Sequence, residues 1–144
     1  MKITAMMVAI ICLAVSASAA SGTRSVSPAE ARLYFIAPQD GELVNGEFKV
    51  SFGLRGMGVA LAGIDAANTG HHHLLINIDS LPPMDQPLPK SQQVRHFGGG
   101  QTETTLSLKP GKHTLQLLLG NHSHIPHNPP VVSHKITITV IQKP

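Results

Sequence analysis

Residues 103–119 read Glu-Thr-Thr-Leu-Ser-Leu-Lys-Pro-Gly-Lys-His-Thr-Leu-Gln-Leu-Leu-Leu. Thr104, Leu106 and Leu108 alternate with Glu103, Thr105 and Ser107. After Pro110-Gly111 the same period of two returns in His113, Leu115, Leu117 and Leu119. A period of two puts alternate side chains on one face, as in a half-buried strand. Pro-Gly between two such runs is a tight turn. The stretch therefore predicts two strands running in opposite directions.

The same pattern extends outward in both directions. Leu33–Ile36 is a short strand ended by Pro38, with a turn at Gln39-Asp40-Gly41. Phe48, Val50, Phe52 and Leu54 alternate with Lys49, Ser51 and Gly53, and His72, Leu74, Ile76 and Ile78 alternate with His73, Leu75 and Asn77. Ile136, Ile138 and Val140 form one face of a last strand, and a short edge strand is expected between Gln92 and Phe97. The Pro-rich piece 81–89 reads as an extended surface loop. No stretch shows a helical period. The expected fold is all-β: an immunoglobulin/fibronectin-like antiparallel β-sandwich of about seven strands, with a small barrel as the alternative.

The N-terminus reads differently. Lys2 precedes an apolar run from Ile3 to Val15, followed by Ser16-Ala17-Ser18-Ala19-Ala20. This order is that of a secretory signal peptide over residues 1–19, and the run is shorter than the roughly 20 residues a membrane span needs. A Ser/Ala/Gly-rich linker is expected at 20–31 and one domain at 32–144. The remaining chain, about 125 residues, is long enough for its own core. Its single cysteine, Cys12, lies inside the apolar run, so neither a disulfide nor thiolate chemistry is expected in the mature domain. Eleven Lys and Arg face eight Asp and Glu, scattered rather than clustered, and aromatics are sparse. That balance argues against nucleic-acid binding. The expected location is periplasmic or secreted, with no integral membrane span after cleavage.

Nine histidines are the chemical signal. In an antiparallel sandwich, strand direction brings His71–His73, His96, His122, His124, His127 and His134 to one end and leaves His113 at the other. Residues far apart in sequence that converge on a scaffold's loops are how binding sites are built. Neutral imidazole is a common metal ligand, and the spacing His122-x-His124 on an extended segment would aim two rings the same way. The candidate ligands are His71, His73, His96, His122, His124 and His127. An imidazole set without thiolate suits copper(II), zinc or nickel, and Met57, expected at the same end, would extend it to copper(I). His72 shares parity with Leu74 and Ile76 and reads instead as a core-edge histidine bonded to backbone; His113 and His134 share that reading. His122, His124 and His127 could equally serve to pin a proline-rich loop. Protons should compete with a metal near the ordinary imidazole pKa of about 6.5.

Four stretches resemble the signatures of a bacterial secreted family, domain of unknown function 4399. They are Gly70-His71-His72-His73-Leu74-Leu75-Ile76, His96-Phe97-Gly98-Gly99-Gly100-Gln101-Thr102-Glu103, Pro110-Gly111-Lys112-His113-Thr114-Leu115-Gln116-Leu117 and Gly120-Asn121-His122-Ser123-His124-Ile125-Pro126-His127. The resemblance spans roughly residues 33 to 141 and implies no activity and no catalytic residue. The family commonly carries Asp where this chain has Asn121, which would remove a carboxylate from the site.

Two functions compete. One is a metal-binding module, with copper favoured over zinc. The other is an envelope interaction or structural module whose histidines order the loops without metal. Catalysis is the less favoured reading. Glu103 and Asp65 are the acidic residues expected near the histidine end, Glu103 should face solvent, and no nucleophile–base order stands out. The leader is directly testable: N-terminal sequencing of the exported protein should begin at Ala20 or Ser21, and a chain beginning at Met1 would exclude the leader.

Overall fold

A computed structural model describes residues 22–142. The expected signal peptide, with Cys12, lies outside the described residues. Among these residues nine strands occur: β1 (Arg32–Ala37), β2 (Leu43–Asn45), β3 (Glu47–Arg55), β4 (Gly58–Val59), β5 (Thr69–Ile76), β6 (Val94–His96), β7 (Glu103–Ser107), β8 (Gly111–Gly120) and β9 (Ile136–Ile141). β1, β3 and β7 form one antiparallel sheet. The second has the order β2-β9-β8-β5-β4, with β6 also pairing β5. The molecule is an all-β sandwich of the immunoglobulin/fibronectin kind.

All the long pairings are antiparallel. Two very short strands, β2 and β4, add in parallel, to β9 and β5. Neither was expected, because two or three residues carry no readable period and their pairing is decided by neighbours. The Pro110-Gly111 turn does not close a hairpin. It carries the chain from β7 in one sheet to β8 in the other.

The alternating residues meet between the sheets. Leu33, Val50, Phe52 and Leu106 face Leu74, Ile76, Leu115, Leu117, Leu119, Ile138 and Val140 across one apolar core. Full burial of such side chains stabilises by about 1.5–3 kcal/mol each.

β5 departs from the expected half-buried pattern: His71 through Ile76 are all buried. The outer face of its sheet is also apolar, with Leu75 and Leu118 packed against Val94 and Leu88. Leu88 belongs to the Pro-rich piece, which is thus a cover drawn over the sheet rather than a free surface loop. Its anchor is a hydrogen bond from Leu88 N to His124 O, 2.9 Å. Apolar groups on a solvent face supply the reason, since burying them is favourable.

Residues 22–31, expected as linker, are tied to the domain. Ser27 N donates to Asn128 O, and the Arg24 guanidinium donates to the carbonyls of Pro126 and His127.

The inter-sheet core is continuous without any metal, so chelator-treated protein should keep its β circular dichroism spectrum and melt cooperatively. Leu117→Ala, at a position with no exposed surface, should lower the unfolding free energy by about 2–5 kcal/mol in urea titration.

Candidate metal centre

Adjacent residues on a strand face opposite sides, so three consecutive histidines on β5 divide between two environments. His72 points into the core and packs on Phe52, ring centroids 5.1 Å apart. Neither of its ring nitrogens makes a hydrogen bond of standard geometry, which differs from the backbone-bonded histidine expected. Burial pushes it down to about 4, against a weaker opposing pull from the Gln101 backbone.

His71 and His73 point to the outer face. There β6 lies antiparallel to β5 and sets His96 opposite His73, while the loop after β8 brings His124 over both. Ring centroids of His71 lie 4.8 Å from His73, 4.9 Å from His96 and 4.9 Å from His124. One ligand nitrogen from each of His71, His73, His96 and His124 lies within 4.8 Å of all the others. Nitrogens bound to one ion at about 2.0–2.1 Å cannot be more than about 4.2 Å apart. Neighbouring nitrogens of a four-coordinate ion lie closer still, about 3.3 Å apart in a tetrahedron, so each ring would have to move inward by up to about an ångström to share an ion.

Two glycines make room for the rings. A Cβ on Gly120, opposite His71 on β8, would stand 2.6 Å from Cε1 of His73. One on Gly98 would stand 2.5 Å from Cε1 of His96. Both lie far below a van der Waals contact, so any larger residue would displace an imidazole.

Polar satisfaction is incomplete here. His71 Nε2 and His124 Nδ1 share a hydrogen bond of 2.9 Å. His71 Nδ1, both nitrogens of His73 and Nε2 of His96 are buried without partners. Each such group costs about 1–3 kcal/mol, and several in one place call for a ligand or another specific cause. Burial first, and then the neighbouring imidazoles, hold His71 down to about 4 and His73 to about 3. His96 is lowered by burial, then by His124 and Lys90. His71 and His73 are therefore neutral, lone-pair-bearing donors well below pH 6.5, and protons should compete with a metal at lower pH than the ordinary imidazole pKa suggests.

The other expected ligands lie elsewhere. His122 and His124 do not point the same way because residues 121–125 form a turn. Asn121 Oδ1 accepts from Ser123 N and Ile125 N, each at 3.0 Å, and His124 takes a left-handed φ of 65°. The turn sends His124 into the cluster and His122 out to Asp65, 3.2 Å away. Asn121 organises this loop rather than standing at the cluster. Its amide also donates to Thr23 O and Ser25 Oγ, which an Asp carboxylate could not do. His127 Nε2 donates to Thr69 O at 3.0 Å, and Met57 packs against the inter-sheet core. His113 bonds Asn77 and Lys109 O at the opposite end of β8. His134 is exposed and lies beside Ser133 and Ile136, short of the histidine end. Glu103 is exposed, paired with Lys49 at 3.0 Å. The centre thus lies on a sheet face, with three of its four residues on strands, rather than among end loops.

The four signature stretches all fall within residues 50–141, which match the family model described as Domain of unknown function (DUF4399). The chain belongs to that family. No curated protein matches it. Among solved structures, this DUF4399 domain is similar to an endo-β-1,4-mannanase from Thermotoga petrophila, at 17% identity and a TM-score of 0.47, over 79% of this chain and 20% of the mannanase. The chain thus spans about a fifth of that enzyme's length. It is also similar to the fibronectin(III)-like modules of Clostridium thermocellum CbhA, at 12% identity and a TM-score of 0.42, over 78% of this chain and 99% of that one. Among the described residues no helix is long and apolar enough to cross a membrane.

The buried neutral histidines set a pH dependence. An unfolded histidine takes a proton near pH 6.5 while folded His71, His72 and His73 refuse it until about 4, 4 and 3. The unfolded state then binds more protons, so stability is complete above pH 6.5 and declines as pH falls toward 4. Each histidine adds up to about 1.4 kcal/mol per pH unit to that slope. Urea midpoints measured from pH 7.5 to 4.5 should fall steeply in metal-free protein, and a flat profile would contradict the buried, neutral assignment.

Proposed function

We propose that the domain binds one transition-metal ion, copper(II) in preference to zinc, through His71, His73, His96 and His124, and does so outside the cytoplasm. The observation that carries this reading is four imidazoles with mutually close ligand nitrogens, several of them buried and unpaired. Imidazole-only sites suit copper, zinc and nickel, and divalent copper stands first in the general order of affinity. Met57 packs against the inter-sheet core rather than at the cluster, so the set has no thioether from that residue, which favours copper(II) over copper(I). The leader sequence supports a periplasmic or secreted setting. The single loop-borne ligand, His124, suits a site that loads and releases its ion.

A metal-free role for the cluster has one observation in its favour, the His71–His124 hydrogen bond, which already ties the loop to β5. Titration calorimetry on untagged protein separates the two. Copper(II) should bind at one equivalent, zinc more weakly at the same place. His73→Ala and His124→Ala should each weaken copper by about 100-fold or more, while His122→Ala and His134→Ala should leave it unchanged. Equal losses in all four variants would indicate diffuse histidine binding, and no binding would leave the loop-ordering role.

A further inference from the structure

Four neutral imidazoles bring no negative charge to a divalent ion. The cluster contains no carboxylate, and two of its members are fully buried. A dication in such a place retains its charge with little water around it, which is unfavourable unless a counter-charge is close.

The structure shows where one could sit. A partly open cavity of about 80 Å³ is lined by His73, His96 and His124 together with Leu88 and Lys90. A space of that size has room for a small anion such as formate, a halide or azide. Lys90 has the wrong sign for a rim residue of a bare cation site, since it repels the incoming ion. It has the right sign for an anion lying between itself and the metal, where a charge-assisted hydrogen bond would hold the anion's far end. Leu88 contributes an apolar part of the lining.

We propose that the metal-loaded cluster takes one small monoanion as an additional ligand, seated in this cavity between the ion and Lys90. The inference rests on the metal-binding reading above and adds to it an open coordination face with a stated occupant. The anion enters as a Lewis base, donating a lone pair to the ion; no bond within the protein is made or broken. A small carboxylate is the oxygen-donor form of this ligand, and chloride the halide form.

Azide is a suitable probe because its complex with copper(II) absorbs by charge transfer. Untagged protein loaded with one equivalent of copper(II) should give a saturable azide band, with formate and chloride competing. Lys90→Met should weaken azide by about tenfold, Lys90→Arg should restore most of the loss, and Lys49→Met, on the other sheet, should have no effect. Copper bound by electron paramagnetic resonance but giving no azide band would overturn the proposal and leave the metal reading standing. Azide affinity equal in Lys90→Met and the unaltered protein would overturn the seat assigned here. Absence of protein-bound copper before azide is added would instead overturn the metal reading.

Discussion

Burial of β5 on both faces is the constraint on which the rest of the structure depends. A sandwich needs only one face of each sheet covered, and the inner residues Leu74 and Ile76 meet that need. Leu75 and Leu118 on the outer face require a third layer. Leu88, in the segment that supplies it, also lines the space beside His73, and His96 and His124 pack on the ring of His71. The same burial that stabilises the domain therefore removes water from two imidazoles. That loss makes them neutral, leaves their nitrogens unpaired, and turns a run of three histidines into one core residue and two ligand candidates.

The histidines on strands and on loops contribute in different ways. Antiparallel pairing fixes His73 opposite His96 and His71 opposite Gly120, so three imidazoles are placed by the backbone ladder itself, the most rigid part of a β protein. His124 is held less directly. Its position follows from the Asn121 turn, which is tied in turn to Thr23 and Ser25. A left-handed backbone at a residue with a side chain costs energy and persists where surrounding bonds over-determine it; Asn121 supplies those bonds.

Much of this was legible in the residues. Alternation in 103–119 and in 48–54 predicts the strands that form, and strand direction brings His71, His96 and His124 to one region. The expectation of an edge strand near His96 matters most, because that strand sets His96 against His73. What failed had physical reasons. His122 and His124 were paired by assuming an extended segment, whereas Asn121 at the head of the segment is a turn-forming residue and divides them. The outer-face role of Leu75 was hidden because a period of two assigns one face to solvent; only Leu75 followed by a Pro-rich piece containing Leu88 hints at a cover. β2 and β4 were invisible because two or three residues carry no readable period.

Charge distinguishes this centre from a structural zinc site. Sites that hold zinc to maintain a fold commonly use thiolates, whose negative charge offsets the ion and helps bind it tightly. Here the donors are neutral, the fold has its own core, and the nearest cation on the rim is Lys90. Neutral donors bind through lone pairs alone, so affinity depends on how well the rings are held rather than on charge attraction. Three are held by strand pairing and one by a loop. An ion leaving such a site need break only the loop-borne contact first, and the fold survives its departure. The arrangement therefore fits an ion that is carried or exchanged better than one that is built in. It also leaves the net charge of the loaded centre to be adjusted by whatever small anion its surroundings provide.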